Sequence, residues 1–306
     1  MITVIGSSNV DLVIQVPKIP DVGETILGGK FQQIFGGKGA NQAIAAKRAE
    51  GTVFYITKLG QDTHGDQFKN HFQNENMDVS GILFDSNELT GIAQIWVSEK
   101  GENSIVVAPG ANMKLLPNDF DLFNEQLHLS NFILMQMEIP IDTIVSVTEK
   151  VSNLGGKIIL NPAPAQHLPA AIWKHLWMIT PNEAEASLLT AMPIHNSNDI
   201  IEAANKLLKK GVHQVLITMG EKGCFWTDGN EEIFFPAFDV MAVDSTAAGD
   251  VFNGALTVAL DEGQPLIKAI NFASAAAALS VSKLGAQTSI PFRSEIEKFI
   301  LDRSSD

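Results

Sequence analysis

The sequence predicts an α/β protein built on a doubly wound, mostly parallel sheet flanked by helices, with a small β-sheet lid. Three observations lead there. Short apolar, β-branched runs recur along the chain, helical patterns fill most of the intervals, and two strand-rich stretches break the alternation.

The runs "ITVIG" (2–6), "VFYIT" (53–57), "FILMQ" (132–136), "KIIL" (157–160), "LWMIT" (176–180) and "VLITM" (215–219) read as buried strands. Among the intervals, "IDTIVSVTEKVSNLGG" carries a helical stripe of Ile144, Val147, Val151 and Leu154. Likewise "NDIIEAANKLLKKG" (198–211) carries Ile200, Ala204, Leu207 and Leu208 on one face, with Gly211 suited to the stop just past a helix. Residues 11–35 and 91–110 instead alternate as strands do, and the second stretch turns back at Lys100-Gly101-Glu102-Asn103. Neither fits a βα unit. They are expected to form a second sheet with an exposed face that covers a cleft, pairs with a second subunit, or does both. No linker, repeat or low-complexity segment divides the chain. The expectation is one domain over 1–306, with lid insertions near 11–35 and 91–110.

The formal net charge of -14 opposes binding to nucleic acid and to anionic membranes, so a small-molecule partner is expected. One cysteine, Cys224, leaves no intrachain disulfide and no Cys-rich zinc site, and the seven histidines show no ligand spacing. The start "MITVIGSSNVD" lacks a basic leader, and no run reaches the roughly 18 apolar residues of a spanning helix. A cytoplasmic location is expected.

Four stretches carry candidate chemistry. In "FGGKGANQAIAAKRA", Gly36, Gly37 and Gly39 allow close backbone approach to a ligand, and Lys38 and Asn41 add polar groups at a helix start. The same stretch also reads as a glycine turn feeding a tightly packed helix. It is neither a P-loop, because Gly39 follows the Gly-Lys pair, nor GxGxxG, because Gln42 interrupts it. In "VLITMGEKGCFW", Gly220 and Gly223 flank a short loop, either a hairpin turn or a ligand contact at the carboxyl edge of the sheet. "TPNEAEASLL" offers Thr180 or Asn182 as a helix cap, with Glu183 and Glu185 complementing the dipole. Finally, "DSTAAGDVFNGAL" sets Asp250 behind Ala247, Ala248 and Gly249. A helix starting near Ala248 aims the amides of Ala247 to Asp250 at one spot, where a phosphate can sit with no side chain in the way. Asp250 is then either a general base beside that phosphate or an acid that merely complements the dipole.

"GGKGANQA" and "DSTAAGDVFNGAL", in that order, resemble the two signatures of the ribokinase family of carbohydrate kinases, which also contains fructokinases and adenosine kinases. Ser245 stands where that family more usually has Thr. The likeness runs from "GSSNVD" to "KLGAQTSIP", nearly the whole chain. It implies ATP-dependent phosphorylation of D-ribose at the 5-hydroxyl, with 2-deoxyribose or another sugar as the alternative substrate. It also implies a lid sheet shared across a homodimer. Sugar contacts are implied for Asn9, Asp11, Gly37, Lys38, Asn41, Glu138 and Asp250. A carboxylate such as Asp11 suits this role, since it can accept two hydroxyl hydrogen bonds from one sugar. Nucleotide contacts are implied for Asn182, Thr218, Gly220, Gly223, Gly249 and Ser274, with Glu185 near magnesium-bound phosphates. Ser274 replaces the His or Asn common in relatives. A potassium site is implied at Asp244, Thr246, Ser280, Lys283, Gly285 and Ser289, several through backbone oxygens. A non-catalytic sugar or nucleotide sensor on the same fold is disfavoured by Asp250 behind an intact Ala-Ala-Gly, and a nicotinamide oxidoreductase by the missing GxGxxG after the first strand.

Overall fold

Successive residues of the central strands go to opposite cores, which is the packing signature of a sheet covered on both faces. Ile2 and Val4 enter one apolar cluster and Ile5 the other, while Leu134 and Ile159 are separated in the same way from Ile133, Met135, Ile158 and Leu160. The computed structural model describes residues 1–304.

The strands are β1 (Ile2–Ile5), β2 (Asn9–Val16), β3 (Phe31–Gly36), β4 (Val53–Gly60), β5 (Ile82–Asp85), β6 (Gly91–Ser98), β7 (Asn103–Ala108), β8 (Phe132–Met135), β9 (Lys157–Leu160), β10 (Met178–Ile179), β11 (Gln214–Thr218), β12 (Cys224–Thr227) and β13 (Glu232–Phe235). The helices are α1 (Lys38–Arg48), α2 (Thr63–Asn74), α3 (Asn124–Leu129), α4 (Ile141–Asn153), α5 (Glu183–Thr190), α6 (Ser197–Lys209), α7 (Ala248–Asp261), α8 (Leu266–Val281) and α9 (Arg293–Ser304). The large sheet has the order β13-β12-β11-β10-β9-β8-β1-β4-β5, parallel from β5 to β11, with β12 and β13 antiparallel at one end. From β1 the chain winds outward to β4 and β5, and from β8 it winds the other way. The β1/β8 boundary is therefore the switch point of the sheet, where open α/β folds bind ligands.

The two irregular stretches build a second sheet of order β3-β2-β6-β7. Its β6–β7 turn is closed by Gly101 at φ 81 and by the Ser98 amide donating to the Glu102 carbonyl. Phe31, Ile105, Val106 and Val107 are exposed on this sheet. No helix among the described residues is long and apolar enough to cross a membrane.

Local details correct the sequence reading in three places. Leu154 is not part of the α4 stripe: it caps the helix and is exposed, because Gly155 at φ 80 turns the chain away. The "LWMIT" strand shrinks to Met178–Ile179. Thr180 caps nothing, its hydroxyl being donated to Asn253 Oδ1 at 2.6 Å, and Asn182 is the cap of α5. Gly211 does follow α6, at φ 116.

Candidate active site

Each central strand delivers a polar residue to its carboxyl end. Ser7 follows β1, Gln136 and Glu138 follow β8, Asn161 follows β9 and Thr180 follows β10. Helix α1 is pressed onto the first of these exits. A Cβ on Gly39 would stand 2.5 Å from the carbonyl carbon of Gly6 and the nitrogen of Ser7, so only glycine fits. Gly37, at φ 89, likewise faces the Ser8–Asn9 backbone.

Helix α7 crosses α1 equally closely. A Cβ on Gly254 would stand 2.7 Å from both the Gln42 carbonyl oxygen and Ala45 Cβ. This contact sets Asp250, one turn earlier and 5% exposed, against the start of α1. Asn41 Nδ2 donates to Asp250 Oδ2 at 3.0 Å, and Gln42 Nε2 donates to Oδ1 at 2.9 Å. Gln42 is itself fixed, accepting from Gln136 Nε2 and donating also to Asn161 Oδ1. Asn253, a turn further along α7, donates to the Gly249 carbonyl and accepts from Thr180.

Four charges converge here. Burial raises the Asp11 carboxyl to about 7, helped by the negative charges of Glu138 and Asp250 and opposed by Lys38. Burial likewise raises Asp250, opposed by Lys38 and by its two amide donors. Lys38 is held above the ordinary lysine range chiefly by Asp250, with Glu138, Glu185 and Asp11 contributing. Glu138 Oε2 accepts from Ser7 Oγ at 2.5 Å and from the Lys38 amide at 3.1 Å. Asn9 Oδ1 accepts from Asn112 Nδ2 at 2.8 Å, which leaves the Asn9 amide nitrogen as a donor. Asp11, Lys38, Glu138 and Asp250 thus lie close enough to shift one another's charge, Asn41 is bonded to Asp250, and the Asn9 side chain is tied to Asn112 instead.

Ahead of α7, Ala247 occupies the left-handed region at φ 62, ψ 7, a conformation that is costly for a residue with a Cβ and is found where the surroundings enforce it. The tight turn pairs the Ala248 amide with the Ser245 carbonyl, so Ala248 does not join the free donors expected from the sequence. The amides of Ala247, Gly249 and Asp250 meet no backbone acceptor among the described residues. Nothing lies within 4 Å of a Cβ built on Gly249. The result is a bare, electropositive helix start beside a buried carboxylate.

Four of the expected nucleotide residues, Asn182, Thr218, Gly220 and Gly223, lie at the next strand exits, while Gly249 and Ser274 are on α7 and α8. Asn182 bridges to Thr218, and Gly220 and Gly223 follow at φ 58 and 96 in the β11–β12 hairpin. Asn182 and Glu185 cap each other, each accepting from the other's amide at 2.8 Å, and burial raises the Glu185 carboxyl. Burial pushes the Cys224 thiol up to about 12, partly opposed by Ser274 of α8.

Of the expected cation residues, Asp244, Thr246 and Gly285 are joined directly. Asp244 Oδ1 accepts from the Thr246 amide and hydroxyl, and Oδ2 accepts from the Gly285 amide at 2.8 Å. The Asp244 amide donates to the Val281 carbonyl at 3.1 Å, which ties this loop to residues 280–289. Burial alone would raise the Asp244 carboxyl, but these donors outweigh it and hold it low. The Lys283 side chain turns away to Glu295, 2.8 Å distant, so only its carbonyl is available as a ligand.

Gln42, Gln136, Asn161, Asn253 and Gln287 escaped the sequence reading. For Gln136 and Asn161 a usable signal was present: a polar residue ends the apolar strand runs "FILMQ" and "IILN".

A buried carboxylate beside an anion-holding helix start, at the switch point of a doubly wound sheet, is the layout of a phosphotransferase acting on a hydroxyl. Residues 1–293 match the pfkB family of carbohydrate kinases, and the chain belongs to that family. It is 42% identical over 299 residues to a ribokinase of Haemophilus influenzae, covering 98% of both chains. It is 35% identical to a deoxyribokinase of Salmonella typhi, covering 97% of both. Among solved structures, Arabidopsis thaliana ribokinase complexed with ribose and ATP superposes with a TM-score of 0.93 at 33% identity, covering 98% of both chains.

Proposed function

We propose that this chain is an ATP:D-ribose 5-phosphotransferase, acting as a cytoplasmic homodimer. The observation that carries the chemistry is Asp250, buried, gripped through both oxygens by Asn41 and Gln42, and set beside the bare start of α7. Support for the sugar comes from the ribokinase relatives and from the Asn9 amide nitrogen, a donor suited to a sugar hydroxyl.

In this reading Asp11, Lys38, Asn41 and Glu138 hold the sugar hydroxyls, and Asn182, Thr218, Gly220, Gly223 and Ser274 contact the nucleotide. Asp250 accepts the proton of the 5-hydroxyl as that oxygen bonds to the γ-phosphorus. The γ-phosphorus–oxygen bond to the β-phosphate breaks and ADP leaves, with the free amides of the α7 start facing the charge on the transferred group. Magnesium, arriving with ATP, would be held near Glu185 and supplies charge neutralisation of the phosphates. For a monovalent cation such as potassium, the donors fit: one carboxylate, Asp244, with the hydroxyl of Thr246 and carbonyls of the 280–289 loop, an all-oxygen set of low charge. Bound there, it would fix the backbone before α7.

The β2–β3 and β6–β7 sheet is read as the lid, and its exposed Phe31, Ile105, Val106 and Val107 as the face that meets a second copy. The deciding experiment is parallel kinetics on D-ribose, 2-deoxy-D-ribose and D-fructose with ATP. The highest kcat/KM is expected for ribose; a preference for deoxyribose overturns the substrate assignment and leaves the chemistry standing.

A further inference from the structure

Asp250 Oδ2 is the end of a hydrogen-bonded chain that runs out of the active site. Asn41 Nδ2 donates to it at 3.0 Å, Gln287 Nε2 donates to Asn41 Oδ1 at 3.1 Å, and Gln287 Oε1 lies 2.7 Å from His71 Nε2. An ionised carboxylate only accepts, so its polarity orders the whole chain. Asn41 must turn its NH2 towards Asp250 and hence its oxygen towards Gln287, Gln287 must do the same in turn, and His71 must carry a proton on Nε2. Both amides are buried, Gln287 at 3% and Asn41 at 6% exposure.

The far end is anchored. The His71 ring stacks on Phe35 of the small sheet, with centroids 4.3 Å apart and planes at 12°. Arg48 Nη1 donates to the carbonyls of Gln287 and Ile290 at 2.8 and 2.9 Å, and Glu75 binds the same guanidinium. Gln287 lies among the cation-loop positions but is not one of them, and its side chain points to the carboxylate's partner instead.

We infer that Gln287 is a positioning residue for phosphoryl transfer, fixing the Asn41 amide in the orientation that donates to Asp250. The inference rests on the reading of Asp250 as proton acceptor.

Three sets of variants, each with its melting temperature measured, test it. Gln287→Leu removes the donor, and kcat falls about tenfold while the KM for ATP stays within about threefold. Gln287→Glu keeps the size and can still accept from His71, but it cannot donate to Asn41. It draws the Asn41 NH2 towards itself and turns the Asn41 oxygen on Asp250, so kcat falls further, about a hundredfold. If Gln287 merely filled space, the isosteric Glu would be the milder change. At the far end, His71→Gln retains an N–H donor and turns over several-fold faster than His71→Leu; this pair carries the test if Gln287→Leu fails to fold. In an Asp250→Asn background, Gln287→Leu lowers the residual rate no further. Folded Gln287→Leu and Gln287→Glu chains that both keep kcat within about twofold of the parent overturn the inference. An Asp250→Asn chain of nearly parental turnover instead overturns the proton-acceptor reading, so the two failures are distinguishable.

Discussion

Gln42 Nε2 reaches Asp250 Oδ1 at 2.9 Å across the α1–α7 crossing, at a point where the absence of a side chain on Gly254 lets the two helices touch. With Asn41 on the other oxygen, the carboxylate is fixed in rotation before any substrate arrives. That preorganisation separates a working base from a helix-capping acid, since a dipole-complementing residue needs no second helix to aim it.

Asp250→Asn should lower turnover by about a hundredfold to ten-thousandfold while binding of ATP and sugar largely persists. The new NH2 faces one of the two donors, which costs about 1–3 kcal/mol, partly offset by removing a buried charge. Coupled-assay turnover measured beside thermal melting decides the matter. A chain that melts slightly earlier yet phosphorylates within about threefold of the parental rate would rule out the base.

Two glycines predict opposite phenotypes. A Cβ on Gly39 meets backbone at 2.5 Å, so Gly39→Ala should lose about 1–3 kcal/mol of stability. A Cβ on Gly249 meets nothing within 4 Å, so Gly249→Ala should melt as the parent does. It should nonetheless lose tenfold or more in kcat/KM for ATP, on the order of 1.4 kcal/mol, because the methyl occupies phosphate space. Parental kinetics in folded Gly249→Ala would remove the helix start from the site.

The layout of these groups was partly legible in the sequence. Strand runs alternating with amphipathic intervals gave the doubly wound sheet, because period-two burial on two faces leaves continuous apolar runs. The second sheet showed as alternation without helices. "GGKGANQA" and "TAAGD" stood out because glycine and alanine advertise missing bulk. Gln42 and Gln287 did not stand out, since a buried amide is recognised only by its partners, and these lie 208 and 246 positions away in Asp250 and Asn41. Nor does sequence reveal that Lys283 turns to Glu295, or that Ala247 is held at positive φ.

Potassium dependence should follow from the Asp244 turn. Replacing potassium by a bulky organic cation at equal ionic strength should lower kcat several-fold, and Asp244→Ala should make the enzyme slow and indifferent to the exchange. Equal parental rates in both salts would sink the cation site.

The small sheet should close over sugar. Amide exchange in 11–35 and 91–110 should slow when ribose is added, because closure excludes water from the strand backbones. Unchanged protection in a sample shown by calorimetry to bind ribose would count against a lid.

Asp11 makes a pH-dependent prediction of defined sign. Its folded carboxyl titrates near 7, against an ordinary value of 3.8, because burial and the nearby Glu138 and Asp250 disfavour its charge. The folded chain therefore holds this proton more tightly than the unfolded one. Its contribution to stability is fully present below about pH 4 and is lost as pH rises through about 7. Asp11→Asn keeps the shape and cannot ionise, so it should melt above the parent at pH 8, with the gap shrinking at pH 5. Sugar binding runs the other way. Only the ionised carboxylate accepts two hydroxyl hydrogen bonds, so the parental Kd for ribose should rise towards tenfold per pH unit below about 7, while Asp11→Asn binds weakly at every pH. Calorimetric titration with ribose in the absence of ATP, at pH 6, 7 and 8, isolates this group from the chemistry at Asp250. A parental Kd that stays flat over that range would show that Asp11 is not the acceptor for the sugar hydroxyls.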